Sequence, residues 1–212
     1  MNTETKNRNK KTRGRFFSGV LRFIHEKPLG VAGAIITLAL LFTGIFADVL
    51  APHGENDTNL IARLSPPSAE YPLGADNMGR DILSRVIYGA RITVIVGLSA
   101  ALLSTAISAI LGLLTGYIGG TFDLLSQRIV DAWMCLPIMI VLMVIISMIG
   151  PGVVSLIIVM GVGYGFIGAR VVRGSVISTK QNMYIRAAQV TGCSTWRILF
   201  RHILPNITAP II

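Results

Sequence analysis

Asp131 and Arg170 bracket 38 consecutive residues, Ala132 to Ala169, without a formal charge. A segment that long and that apolar belongs in a bilayer, where every backbone polar group must be satisfied internally and a helix does this within one segment. Gly150-Pro151-Gly152 interrupts the run, and glycine beside proline forces a turn, so the stretch reads as two helices back to back. Two further runs lack charge, Pro28 to Ala47 with 20 residues and Ile92 to Phe122 with 31. Twenty helical residues cover the ~30 Å hydrocarbon core. The 31-residue run reads as one long helix that tilts or projects beyond the bilayer. The last apolar piece, Ile203 to Ile212, is too short to cross.

Composition agrees with a membrane chain. Charged residues make up 14% and apolar residues 52%, against about 25% charge in soluble domains. A disordered chain, a disulfide-stapled secreted module and a typical water-soluble enzyme are excluded. The first run is not a cleavable signal peptide, because 27 residues precede it and its apolar stretch exceeds the usual 7–15 residues.

Nineteen Lys+Arg against ten Asp+Glu leave a net charge of +9. Strong basicity points to nucleic acid or to the cytoplasmic face of a membrane, and position decides between them. Residues 1–27 hold eight basic residues, 123–131 one and 170–201 six, while 48–91 hold four beside six acids. With sides alternating, fifteen basic residues face four, and the richer side is the cytoplasm. The expected layout is a cytoplasmic basic tail over 1–27 and a first span over 28–47. An extracytoplasmic segment follows over 48–91, then a transmembrane domain over 92–212. That domain has spans at about 92–119, 130–149 and 153–170, a cytoplasmic loop at 171–205 and the start of a further span at 206–212. The tail, with no apolar period, reads as solvated and able to lean on anionic headgroups. Cys135 falls in a span and Cys193 in the cytoplasm, and no CxxC or Cys/His ligand spacing occurs, so neither a disulfide framework nor a metal site is expected.

Within the outer segment, Asp76 is the expected N-cap of an amphipathic helix running to Ala90 at the membrane surface. Asp76/Arg80 and Asp81/Arg85 are its i,i+4 pairs, and Ile82, Leu83, Val86 and Ile87 its apolar face. Gly112/Gly116, Gly116/Gly120 and Gly161/Gly165 have the spacing that lets helices approach closely. Arg128 and Asp131 read as a local ion pair, with a kink at Pro137. The span interiors carry no charge, which argues against a secondary transporter or channel, the main alternative class.

Residues 170–205 carry the most information. Ser178 or Thr179 is expected to cap a helix through Tyr184, Ile185, Ala187, Ala188 and Val190 that ends at Gly192. Ser194 then caps a second helix, Thr195 to His202, with Pro205 after it. The two make a compact knob whose flank Ala187 and Ala188 leave smooth for another protein's groove. A membrane-tethered helix-turn-helix DNA regulator would look similar. It needs a third helix and a soluble core, which a knob pinned between membrane runs lacks, so nucleic acid is not an expected partner.

These residues resemble the EAA motif of ABC-importer permeases: EAA, three residues, Gly, nine residues, I-x-L-P. The chain reads Arg186-Ala187-Ala188, Gly192, then His202-Ile203-Leu204-Pro205 at that spacing, with Arg186 for the Glu and His202 for the Ile. Pro72-Leu73-Gly74-Ala75-Asp76, Gly79-Arg80-Asp81, Ser84-Arg85 and Tyr88-Gly89-Ala90-Arg91 resemble the dipeptide/oligopeptide/nickel branch. So do Arg128-x-x-Asp131 with Pro137 and Ala169-Arg170-x-x-Arg173-Gly174.

The resemblance implies an all-α integral membrane protein. It would be a polytopic helical bundle of the type I ABC-importer permease kind, with four full spans and the start of a fifth. It implies a C-type permease subunit in a bacterial or archaeal inner membrane, multi-pass, with its N-terminus cytoplasmic. Arg186, Ala187, Ala188, Gly192, His202, Leu204 and Pro205 would form the loop that couples to cytoplasmic ABC ATPase subunits. A second homologous permease and an extracytoplasmic substrate-binding protein would complete the system. No catalytic residue, metal or cofactor is implied, and the chain has no GxxxxGK[ST] phosphate loop. Dipeptides, oligopeptides, glutathione and nickel share this scaffold. The family continues with further spans after Leu-Pro, so the chain is expected to be C-terminally truncated.

Overall fold

The computed structural model describes residues 27–211, and the basic tail up to residue 26 lies outside the described residues. The described residues divide into two compact units, one up to Val94 and one from Ile95.

In the first unit Pro28 opens helix α1 (Pro28–Ile45), where its missing N–H costs nothing. A short helix α2 (Ala47–Leu50) follows. Helix α3 (Ile82–Ile118) begins in this unit and is continuous for 37 residues, about 55 Å. The expected surface helix ending at Ala90 is therefore the first part of α3, since no Gly-Pro pair breaks the chain between Ala90 and Ile92. Its cap is also corrected. Asp81 accepts from the Leu83 N–H (3.3 Å) and from the Ser84 N–H (3.0 Å) and hydroxyl (2.6 Å), whereas Asp76 lies six residues before Ile82, where the helix begins. Arg91 ties α3 to α1, donating to the Gly44 carbonyl at 3.1 Å and to both oxygens of Asp48 at 2.9 and 2.7 Å.

Segment 51–81 is held mainly by turns, with a short 3-10 helix at Leu60–Ala62 and one antiparallel bridge between Ala75 and Asp81. Asp76 gathers the Met78 N–H (2.7 Å), the Arg80 N–H (3.0 Å) and the guanidiniums of Arg80 (2.9 Å) and Arg85 (2.8 Å). The Asp76/Arg80 pair is present as expected, but Arg85 turns to Asp76 and not to Asp81. Gly79, at φ +74, passes so close to the Asn59 carbonyl that a side chain there would collide with it.

The Arg80 N–H, with further help from Met78 and the Arg80 guanidinium, holds the Asp76 carboxyl well below the usual carboxylate range. A depressed folded value means that its contribution is complete above about pH 4 and is lost as pH falls through the folded value. Asp76→Asn should therefore raise amide exchange across 51–81 at neutral pH, and the gap from the parent should close as pH drops below about 4. A gap that stays constant with pH would contradict this role.

The second unit is built on one seam. Gly161 meets Leu103, Gly165 meets Ile107, Gly112 meets Val172 and Gly116 meets Val176. The partners advance together along α3 and α6 (Val153–Lys180), so the two helices run parallel. Ser108 Oγ donates to the Gly165 carbonyl at 3.0 Å in the same seam. The small residues read from the sequence thus do bring helices together, except Gly120. At φ +61 with nothing near it, Gly120 follows the Gly119 turn and opens the next helix.

The return between the parallel helices is corrected most. In place of a loop at 123–131 and one span at 130–149, there are α4 (Gly120–Met134) and α5 (Ile138–Ile149), bent by 85°. Pro137 gives no N–H and keeps its predecessor out of the helical region, so a break replaces the expected kink. Trp133 and Phe166 of α6 meet in a T-shaped pair with ring centres 5.3 Å apart, and Gly163 of α6 makes room for Ile138. The turn at Gly150-Pro151-Gly152 is as expected, with Gly150 at φ +97 and its carbonyl accepting from Ser155 Oγ. The described residues thus hold three helices long and apolar enough to span, or four if the bent pair counts as one.

Candidate functional site

Asn182 sits at the N-cap position of α7 (Met183–Val190). Ser178 and Thr179, the expected caps, belong instead to the last turn of α6. At the other end of α7, Gly192 takes φ +78, its N–H reaches the Gln189 carbonyl, and the Cys193 N–H reaches Ala188. This is the left-handed helix end expected of glycine. Thr191 Oγ1 donates to the carbonyls of Ala187 and Ala188 at 3.1 and 3.0 Å, closing the turn.

Ser194 then stands at the N-cap position, without a side-chain bond, of a second helix, α8 (Thr195–Arg197). It widens to a π-helix over Ile198–Ile203 and tightens to a 3-10 turn over Leu204–Asn206. Pro205 has no N–H for the preceding turn, and Asn206 Nδ2 donates to the His202 carbonyl at 2.6 Å.

The knob is fixed by one core. Ile185, Ile198, Leu199, Ile203 and Ile207 are buried with Leu113 of α3 and with Val172 and Val176 of α6. Against it the sequence-derived residues divide. Arg186, Ala187 and Pro205 are exposed, His202 is half-buried, and Ala188 and Leu204 pack against the core. The small pair is thus not one smooth flank: Ala187 faces outward and Ala188 inward.

Arg186 lines a cleft of about 360 Å³ with Asp123, Lys180, Gln181 and Gln189. Lys180 Nζ donates to the Tyr117 carbonyl at 2.6 Å and lies 5.0 Å from the centre of the Tyr117 ring. Gln189 donates to the Tyr117 hydroxyl at 3.4 Å, so α7 is also tied to the end of α3. Two pairs fasten α4 to α6: Asp123 with Arg173, both bonds at 2.6 Å, and Asp131 with Arg170. Asp131 therefore does not form the local pair with Arg128. Sequence spacing could not find these partners, 50 and 39 residues apart. The available signal was opposite charges at the ends of neighbouring helices.

The geometry is that of a basic knob joined by a buried core to the ends of two parallel apolar helices. Residues 108–212 match the model of the binding-protein-dependent transport system inner membrane component. Residues 16–67 match the N-terminal TM domain of oligopeptide transport permease C. The chain is 36% identical over 189 residues to the dipeptide transport system permease protein DppC of Alkalihalophilus pseudofirmus, covering 89% of this chain and 62% of that protein. It is 34% identical over 203 residues to the oligopeptide transport system permease protein OppC of Bacillus subtilis, covering 96% and 66%. The chain thus spans a little over three fifths of the relatives it matches. With apolar helices, a matching motif order and two family models covering most of its length, the chain belongs to the binding-protein-dependent transport system inner membrane components.

Proposed function

We propose that the chain is a transmembrane permease subunit of an ATP-binding cassette importer for dipeptides or oligopeptides, coupled to cytoplasmic ATPase subunits through α7. The observation that carries this reading is the division at the knob. Arg186 and Ala187 are free on the outside, while Ile185 and Ile203, fully buried, lock the same residues onto α3 and α6. A push on the outer face is then delivered to the spans rather than absorbed in a loose loop.

In this reading the N-terminus and the knob are cytoplasmic, and segment 48–81 is extracytoplasmic. The parallel direction of α3 and α6, with α4 and α5 as the return, supports that alternation. The coupling loop begins at Gln181, after α6. A second homologous permease shares the pathway, and an extracytoplasmic binding protein delivers the solute. ATP hydrolysis belongs to the partner chain. The peptide substrate class follows the relatives named above.

The test is a bulky group on the outer face. Ala187→Trp should lower ATP-driven uptake in reconstituted vesicles about tenfold, an energetic penalty of about 1.4 kcal/mol at the interface. ATP hydrolysis should continue without its substrate stimulation. Arg186→Trp, a second bulky change on the same exposed face, should act in the same direction. Ala188 is unsuitable, because bulk there would strain the knob's own core. Coupling left intact by both substitutions would remove α7 from the mechanism.

A further inference from the structure

Beyond α7, one face of the second knob helix has no partner among the described residues. Trp196 and Phe200 are 64% and 55% exposed and stack on each other at 5.7 Å with an interplanar angle of 16°. Arg197 and Arg201, also exposed, stand beside them, while Ile198 and Leu199 are buried on the opposite side. Two neighbouring aromatic rings flanked by guanidiniums form the pattern of a side that rests at a lipid–water boundary.

Depth supports the same occupant. Helix α6 starts at Val153 and needs about 20 residues to cross the hydrocarbon. It therefore leaves the hydrocarbon near Val172, where Arg170 and Arg173 supply the first charges after the apolar run. Val172 and Val176 share their core with Ile198, Leu199 and Ile203. The buried side of this helix therefore packs on α6 where α6 leaves the hydrocarbon. Charge is complementary as well, since no acidic residue follows Asp131 in the sequence.

We infer that Trp196, Arg197, Phe200 and Arg201 form an interfacial anchor that binds anionic lipid headgroups of the leaflet next to the knob. The aromatic rings sit among the upper acyl chains, and the two guanidiniums hold phosphate. The anchor fixes the level of the knob relative to the bilayer. It depends on the membrane-spanning fold and not on coupling through α7, so a failure of Ala187→Trp to uncouple leaves it standing.

The experiment uses the full chain in vesicles of phosphatidylcholine with or without phosphatidylglycerol. Trp133→Phe leaves Trp196 as the single tryptophan. Its emission should shift to the blue, escape iodide and be quenched by brominated acyl chains, each effect growing with phosphatidylglycerol. Arg197→Glu with Arg201→Glu should abolish that growth, since each arginine strengthens binding to an anionic surface roughly fivefold. Should the loss of the Trp133–Phe166 contact disturb folding, the difference between the parent and Trp196→Phe gives the same signal. Equal iodide quenching in both lipids would overturn the inference, as would protection that appears only when an ATPase subunit is added.

Discussion

Gly112→Val should destabilise the second unit by about 3 kcal/mol, at the upper end for overpacking. A Cβ at position 112 would lie 2.6 Å from Val172 Cβ, 2.7 Å from its Cγ1 and 2.9 Å from the Ala169 carbonyl oxygen. None of these can retreat cheaply. Val172 is β-branched and has one strongly preferred helical rotamer, it is 1% exposed, and the carbonyl belongs to the backbone of α6. The two helices must move apart, and the contacts at Gly116, Gly161 and Gly165 loosen with them. Gly97→Ala is the control, because nothing lies within 4 Å of a Cβ there. It should be neutral or stabilise by up to about 1 kcal/mol through helix propensity. Detergent-induced unfolding in bicelles, followed by loss of helical signal, compares the two. Equal stability of both variants would mean that α3 and α6 do not pack through this seam.

That seam was legible from the sequence in kind, and the site only in part. Uncharged runs locate helices because the hydrocarbon tolerates nothing else, and the turn at Gly150-Pro151-Gly152 and the end at Gly192 follow from backbone geometry that glycine alone adopts freely. The start of α3 was not legible. Asp76/Arg80 and Asp81/Arg85 have identical spacing and equal claims to a cap. What separates them is a turn through Gly79 that draws Met78, Arg80 and Arg85 onto Asp76 and leaves Asp81 free for Leu83 and Ser84. Pro137 announced a disturbance but not its size, since a kink and an 85° break have the same local sequence. At the knob, the motif gave the residues but not their directions. Ala187 and Ala188 are adjacent and alike, and only the buried cluster around Ile185 decides which one faces a partner.

Asp123→Asn should cost about 2 kcal/mol, between the 0–1 of an exposed ion pair and the 3–5 of a fully buried one. Both carboxylate oxygens of Asp123 receive Arg173 at 2.6 Å, the two-pronged geometry in which charge-assisted bonds are strongest. The side chains are only 15% and 28% exposed, so removing the carboxylate strands a poorly solvated guanidinium. Asp131→Asn, in a pair 47% and 44% exposed, should cost less than about 1 kcal/mol. The two also differ in their response to salt. At 1 M the screening length falls to about 3 Å, which weakens solvent-exposed pairs first. Raising salt should therefore erase the effect of Asp131→Asn while leaving most of that of Asp123→Asn. A double-mutant cycle of Asp123→Asn with Arg173→Gln should give a coupling energy near the single-variant cost, and values near zero would make the pair a bystander. The pair matters to the site because Asp123 lines the same cleft as Arg186. Opening it adds a free arginine to a basic wall and releases α4 from the helix that carries the knob, so Asp123→Asn should loosen both the α4–α6 clamp and the cleft.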